Sequence, residues 1–468
     1  MTEHVEPDPS GRRHRVVVVG GGFGGMPATR RLARMDVDVT LIDRRNHHLF
    51  QPLLYQVATG ILSPGQISPV LRHLFRKRDR VSVLFAEVTH IDLARKVVVT
   101  TTIPGESHEY PYDSLIVATG AGQSYFGHDE FARHAPGMKT IDDALELRRR
   151  VLGALELAES VDSEDERRFW MSMVVVGAGP TGVELAGQIK EMATRSLRRD
   201  FRRIDTSTLR VVLLDAGDQP LATFGSHLSA KAARSLERMG VELRMHAMVT
   251  GVDVGGVTYT GADHVTETIE AGTVIWAAGV QASPIASQLA EQSGAELDRA
   301  GRVAVLPNLT LPGHPEVFAV GDMATINQLP GVCEVAMQGG LHAASTIRRR
   351  LDGDDRDVAF RYRDLGSAAA IGRFRAIVEF HGIRLSGFAG WVVWLFVHIA
   401  FLTGFGNRTV TMLRWCRSMI GRARPERVFS FGHTGGDLSL PASVRDRVGV
   451  RFPEQGDTHW AAHGPVGS

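Results

Sequence analysis

The sequence predicts an α/β protein of two Rossmann-like dinucleotide-binding domains with a C-terminal, membrane-associating helical segment, and three observations carry that prediction. A G-x-G-x-x-G pattern at Gly20, Gly22 and Gly25 follows the β-branched run Val16-Val17-Val18-Val19. The pattern recurs at Gly177, Gly179 and Gly182 behind Met173-Val174-Val175-Val176. Residues 388–405 contain no Asp, Glu, Lys or Arg and form the most apolar stretch of the chain.

The first element is a strand over residues 15–19, whose β-branched composition suits burial on both faces. It feeds directly into the glycine turn. Gly20 permits the tight turn, Gly22 lets backbone N–H groups approach a pyrophosphate, and Gly25 lets the next helix pack closely on its strand. That helix turns its positive end toward phosphate. Residues 37–43 read as the second strand, which places Asp43 to accept a hydrogen bond from a ribose hydroxyl. In the loop over 46–60 the adjacent His47 and His48 point different ways, so they are read as packing residues and no metal site is predicted. Residues 71–80 form a basic helical patch with a solvated face. Strands over 81–85 and 97–101 are predicted as antiparallel. An apolar strand then ends in Ala118-Thr119-Gly120, small residues that suit close approach to the same dinucleotide. Residues 15–135 thus form the first part of one domain.

A second domain is inserted over 136–272. It opens with one helix over 140–166, followed by the second glycine turn. Asp215 closes a strand over 209–214, and Asp215 and Asp218 put negative charge where a 2′-phosphate would sit, with no adjacent Arg. That favours NADH over NADPH. A helix over 226–239, a strand over 241–246 and short strands over 249–268 complete the domain. Residues 273–279 repeat the form of 115–120 and end in Ala278-Gly279. Residues 273–366 return to the first domain, where a strand delivers Gly321-Asp322 and a helix follows over 332–350. Asp322 is placed for a ribityl hydroxyl or a phosphate.

Residues 367–440 are the membrane-association region. The apolar stretch lies at the bottom of the spanning range, so a single span, an interfacial helix and a buried core helix all stay open. Trp391 and Trp394 suit an interface. Arg408, Arg414, Arg417, Arg422 and Arg424 alternate with Met412, Leu413, Trp415, Met419 and Ile420, as in an amphipathic basic helix on anionic lipid. Monotopic attachment is the favoured reading. A dimer interface or a covered sheet is the alternative, which keeps a homodimer open.

Composition bounds the rest. A chain of 468 residues, 43% hydrophobic and 22% charged, suits about two to four globular domains. Fifty-three basic against fifty-two acidic side chains give a formal net charge of +1, which offers no reason for a nucleic acid partner. Cys333 and Cys416 have neither C-x-x-C nor metal-ligand spacing, so no disulfide scaffold is indicated. Residues 1–14 are polar, contain Pro7 and Pro9 and lack a signal peptide's apolar core, which predicts a disordered leader on an intracellular protein. Residues 441–468, polar and glycine-rich, predict a disordered tail.

Together these residues resemble the two-dinucleotide-binding-domain flavoproteins, and within them the type II, non-electrogenic NADH:quinone oxidoreductases, over about residues 15–424. Residues 46–60, 140–147 and 180–187 are similar to mycobacterial and related actinobacterial members. The resemblance implies a glutathione-reductase-like FAD/NAD(P) fold, FAD and NADH as cofactors, and attachment to the cytoplasmic face of the cell membrane. It implies that Gly20, Gly22, Gly25, Asp43, Thr119, Gly120, Gly321 and Asp322 hold FAD. NADH would fall to Gly177, Gly179, Gly182, Asp215, Ala278 and Gly279, with Glu184 near nicotinamide and flavin. The family's quinone-side motif Ala-Gln-x-Ala-x-Gln aligns with residues 333–338, where Ala336 and Gln338 match but Cys333 and Glu334 do not. A carboxylate there, near an apolar quinone, costs desolvation energy unless it is neutralised or partnered.

Glu184, Gln338 and Glu334 are therefore the candidate catalytic residues. The implied reaction passes two electrons from NADH through FAD to a membrane quinone of the respiratory chain, without proton pumping. The departure at Glu334 also admits a membrane-attached NADH-binding flavoprotein, a sensor or another pyridine-nucleotide-dependent reductase, with impaired quinone turnover. Disulfide reductases of similar fold need paired cysteines beside the flavin, which Cys333 and Cys416 do not offer.

Overall fold

A computed structural model describes residues 12–102, 105–421 and 424–430 of the chain. The valine run becomes the strand His14–Val19, with Val16 to Val19 all buried. It stands inside a six-stranded sheet ordered Thr310–Leu311, His314–Ala319, Ser114–Val117, His14–Val19, Val37–Asp43, Val81–Phe85. All neighbours run parallel except Thr310–Leu311, which is antiparallel to His314–Ala319. A second, fully parallel sheet runs Val241–Arg244, Arg210–Leu214, Ser172–Val176, Thr273–Trp276. Both glycine turns therefore leave central strands, where the carboxyl ends of parallel strands form ligand crevices.

Four expectations need correction. The boundary at 272/273 falls one strand early, because Thr273–Trp276 pairs with Ser172–Val176 and so belongs to the second sheet. Val81–Phe85 pairs in parallel with Val37–Asp43 at the edge of the first sheet. Val97–Thr101 instead stands between Glu87–Asp92 and Ser107–Pro111 in a separate antiparallel sheet. The helix over 140–166 is two helices. Thr140 caps Ile141–Ser160 through a reciprocal pair with Asp143, the extended Val161 ends it, and Ser163 caps Glu164–Trp170. The leader ends earlier than drawn, since His14 opens the first strand and Asp113 pairs with both Arg12 and Arg15. Residues 1–11 and the predicted tail lie outside the described residues.

The basic patch is helical only over Leu71–Phe75, and the residues that follow it are exposed.

The region from residue 367 begins as a three-stranded antiparallel sheet, Ser367–Gly372, Arg375–Phe380 and Ile383–Ser386. It seats on the helix Pro180–Glu191 at Gly187, where an added Cβ would lie 1.9 Å from the Ile371 carbonyl oxygen. The apolar stretch forms the helix Gly387–Phe401, which covers that small sheet, with Gly390 against the Ala376 carbonyl. Trp391 and Trp394 are not interfacial. Both are buried, and the Trp394 ring lies 5.3 Å from that of Trp415 on the helix Phe405–Ile420, tilted 40° to it, because positions 391, 394 and 398 share the inward face. The outward face shows Phe388 and Phe396, the latter 65% exposed, and Leu413 on the next helix. No helix among the described residues is long and apolar enough to cross a membrane.

The arginines of the basic run also divide. Arg414 pairs with Glu426, and Arg424 turns inward, buried, to donate to Thr59 O and Gln188 Oε1, each at 2.8 Å. With the Gln188 carbonyl as a third acceptor at 3.3 Å, this guanidinium is held by the core and is lost to lipid. Arg422 lies outside the described residues.

Candidate active site

The first cradle is built from backbone constraints. Gly20 has φ +99°, a left-handed conformation that favours glycine, and a Cβ at Gly25 would sit 1.8 Å from the Gly20 carbonyl oxygen. A Cβ at Gly22 would meet nothing within 4 Å, so the helix start is open on that side. Asp43 Oδ2 accepts the Gly21 N–H and Oδ1 the Arg45 N–H, both at 2.6 Å. Burial pushes the Asp43 carboxyl up, and these two N–H groups oppose it.

The second cradle repeats the first. Gly177 has φ +101°, a Cβ at Gly182 would lie 1.8 Å from the Gly177 oxygen, and Gly179 is open. Asp215 Oδ2 accepts Ala178 N–H at 2.5 Å and Oδ1 accepts Gly217 N–H at 2.7 Å. Each acid thus pins the turn of its own cradle. A carboxylate oxygen accepts more than one hydrogen bond, so both keep capacity for a ribose hydroxyl.

The two strand-end turns meet. Ala121–Gln123 and Val280–Ala282 pair as an antiparallel ribbon, and Gln123 Nε2 donates to the carbonyls of Ala278 at 2.5 Å and Gly279 at 2.8 Å. Thr119 Oγ1 donates to Met323 Sδ at 3.1 Å, while Gly120, at φ +66°, has open space. Asp322 follows Gly321 at a turn closed over Ala336. Burial pushes its carboxyl up, opposed by the ammonium of Lys139.

Glu184 lies on Pro180–Glu191, buried, with Oε1 accepting the Ala370 N–H at 3.1 Å. Burial raises its carboxyl well above the ordinary value, because the charged form loses its solvation there. Gln338 exchanges two hydrogen bonds with the backbone of Arg363, at 2.8 and 2.9 Å, which hold its amide. Glu334 is half-buried in the first turn of Cys333–Leu351, accepting from Cys333 Sγ at 3.2 Å. The contact with Cys333 gives this carboxylate a partner, one of the two conditions under which its place beside an apolar quinone carries no desolvation cost.

Several residues near these groups escaped the sequence reading. Tyr55 is buried beside Glu184, its phenol pushed well up by burial and by that carboxylate. Gln56 Nε2 donates to Tyr55 OH at 3.1 Å, and Trp415 Nε1 donates to Gln56 Oε1 at 2.6 Å. Lys139 directly precedes the Thr140 cap, a position that could have marked it as fixed.

A family profile described as pyridine nucleotide-disulphide oxidoreductase matches residues 14–340. The type II NADH:quinone oxidoreductase Ndh of Mycobacterium tuberculosis is 51% identical over 415 residues, covering 88% of this chain and 89% of that protein. The chain belongs to the type II NADH:quinone oxidoreductase family. NdhA of the same organism is 50% identical over 90% of each chain. The structure of NDH2 from Plasmodium falciparum superposes with a TM-score of 0.81 at 20% identity, covering 88% of this chain and all of that one, a likeness of fold. The α/β fold with two dinucleotide cradles is that of this oxidoreductase family. FAD and NADH fit the two cradles, each of which offers an open glycine at a helix start and a pinned acid with spare acceptor capacity.

Proposed function

We propose that this type II NADH:quinone oxidoreductase catalyses oxidation of NADH by a membrane quinone, with bound FAD supplying the two-electron exchange between them. Gly20, Gly22, Gly25 and Asp43 orient the flavin dinucleotide, and Gly177, Gly179, Gly182 and Asp215 orient NADH. Thr119, Gly120, Gly321 and Asp322 close on the flavin side, and Ala278 and Gly279 on the nicotinamide side. Glu184 excludes water and holds a proton in a dry site. Gln338 and Glu334, at the start of Cys333–Leu351, border the quinone approach. The chain attaches to the cytoplasmic membrane face as a monotopic protein through Phe388, Phe396 and Leu413, exposed on the two C-terminal helices.

The observation that supports this reading most is the Gln123 bridge, which ties the strand-end turn of one cradle to that of the other. Two such cradles joined at their strand ends bring two dinucleotides toward one point. Mixing FAD-loaded protein with NADH in the absence of oxygen should bleach the oxidised-flavin absorbance, and a soluble quinone should restore it. Persistent yellow colour rejects the NADH step, and bleaching without restoration rejects the quinone step.

A further inference from the structure

Between the helix Gly25–Leu32 and the turn joining the two C-terminal helices lies a cavity of about 320 Å³. Its wall combines two chemistries. Arg30, Arg31, Arg34 and Arg408 supply four guanidinium groups, and among the described residues no Asp or Glu lines it. Met337, Leu341 and Phe401 supply an apolar side. Arg408 is fixed, donating through Nε to Leu402 O at 2.7 Å and through Nη2 to Ala400 O at 2.6 Å, the last carbonyls of the apolar helix. Arg30, Arg31 and Arg34 are exposed, and among the described residues their side chains have no ion-pair or hydrogen-bond partner. Arg30, Arg31 and Arg34 gather at and just past the carboxyl end of the helix Gly25–Leu32, so their like charges repel until an anion sits among them.

We propose that this cavity binds an anionic phospholipid, with its phosphate among the arginines and the start of an acyl chain against Met337, Leu341 and Phe401. The proposal rests on the membrane attachment argued above, since the cavity borders the helices that expose Phe396 and Leu413. A quinone head is neutral and leaves four guanidinium charges uncompensated. Free phosphate leaves the apolar wall unused. The arginine fork pairs bidentately with phosphate oxygens, which is the geometry a diester headgroup offers. Lipid bound there would brace the C-terminal turn against the helix that starts at the FAD cradle.

The test uses full-length, FAD-loaded protein titrated with dihexanoyl phosphatidylglycerol below its micelle concentration. Dihexanoyl phosphatidylcholine, inorganic phosphate and a soluble quinone serve as separate probes. One phosphatidylglycerol should bind per chain, with little binding of the neutral lipid or of phosphate, and with no displacement by quinone. A juxtamembrane arginine contributes about 1 kcal/mol to anionic-lipid binding, so Arg30→Gln/Arg31→Gln/Arg34→Gln should weaken affinity roughly hundredfold. Arg417→Gln, outside the cavity, should not. If the triple variant loses flavin, the single Arg34→Glu at an exposed position must still weaken binding severalfold. Equal affinity in the variants, equal binding of phosphatidylcholine or phosphate, or displacement by quinone overturns the proposal. Flotation on vesicles with and without phosphatidylglycerol separates the two readings. Flotation without saturable short-chain binding sinks the cavity site and spares attachment, whereas saturable binding without flotation does the reverse.

Discussion

Oε1 of Glu184 accepts the backbone N–H of Ala370 at 3.1 Å, so a helix of the second cradle and a strand of the C-terminal sheet meet through one buried carboxyl group. Gly187 makes the meeting possible, because any side chain there would drive the Ile371 carbonyl away. The helix that starts at the second glycine turn and the sheet that carries the apolar helix are therefore in direct backbone contact.

Glu184→Gln should keep the acceptor for Ala370 and preserve the fold, whereas Glu184→Ala strands a buried N–H at a cost of about 1–3 kcal/mol. The pH dependence gives a second reading. The folded state holds the Glu184 proton at pH values where the unfolded chain has lost it, so stability falls as pH rises from the ordinary 4.5 toward the raised folded value. Denaturant unfolding at several pH values should show this decline in the natural protein and a flatter profile in Glu184→Gln. Identical profiles would place the proton elsewhere.

The glycines of each cradle should separate into two classes under one substitution. Gly25→Ala and Gly182→Ala push a methyl group onto a carbonyl oxygen, and overpacking of this kind costs about 1–3 kcal/mol or more. Both should lower melting temperature even without cofactor. Gly22→Ala and Gly179→Ala meet open space, so apo-protein stability should hold while FAD retention falls in the first and KM for NADH rises in the second. A cofactor-independent loss at Gly22 or Gly179 would show that these positions do not face a ligand.

Asp43→Asn and Asp215→Asn each remove one of two acceptors that pin a glycine turn. The first should release FAD, read as flavin absorbance after gel filtration, and leave NADH-site affinity to be measured in protein reloaded with excess FAD. The second should raise KM for NADH severalfold with flavin retained. Exchange of the two phenotypes would reverse the assignment of the cradles.

Much of this arrangement was legible because local pattern and tertiary context agree. The valine run before Gly20 and the run before Gly177 both entered parallel sheets, and Gly20 and Gly177 adopt the left-handed φ their turns require. What stayed hidden depends on contacts between distant segments. The likeness of 273–279 to 115–120 pointed Thr273–Trp276 toward the second cradle, yet the boundary drawn at 272/273 cut it off, and an extended strand at Val81–Phe85 is compatible with either partner direction. Trp394 is 1% exposed, with the ring of Trp415 from the next helix packed against it. Glu334 read as an ill-placed carboxylate from its neighbours in sequence. The predicted helix over 332–350 already put it in a first turn, where the helix dipole favours negative charge, but its half-buried setting and its contact with Cys333 Sγ are visible only in the fold.

The buried guanidinium of Arg424 ties the segment after the first cradle to the helix of the second. It donates to Thr59 O at the end of the loop that follows the first cradle, and to Gln188 O and Oε1 on the helix of the second, at 2.8, 3.3 and 2.8 Å. Next to it the Glu426 carbonyl accepts from Arg148, and the Glu426 N–H donates to Gly60 O. A charged donor to a buried acceptor contributes about 1.5–3 kcal/mol, and removal leaves the acceptors unpaired. Arg424→Ala should therefore destabilise the protein by about 3 kcal/mol or more, read as a fall in denaturation midpoint. Arg424→Lys should recover only part of that, since a point ammonium cannot span a planar fork of acceptors. Were Arg424 a lipid contact instead, Ala would leave the unfolding of detergent-solubilised protein unchanged and would reduce vesicle binding, the opposite pair of results.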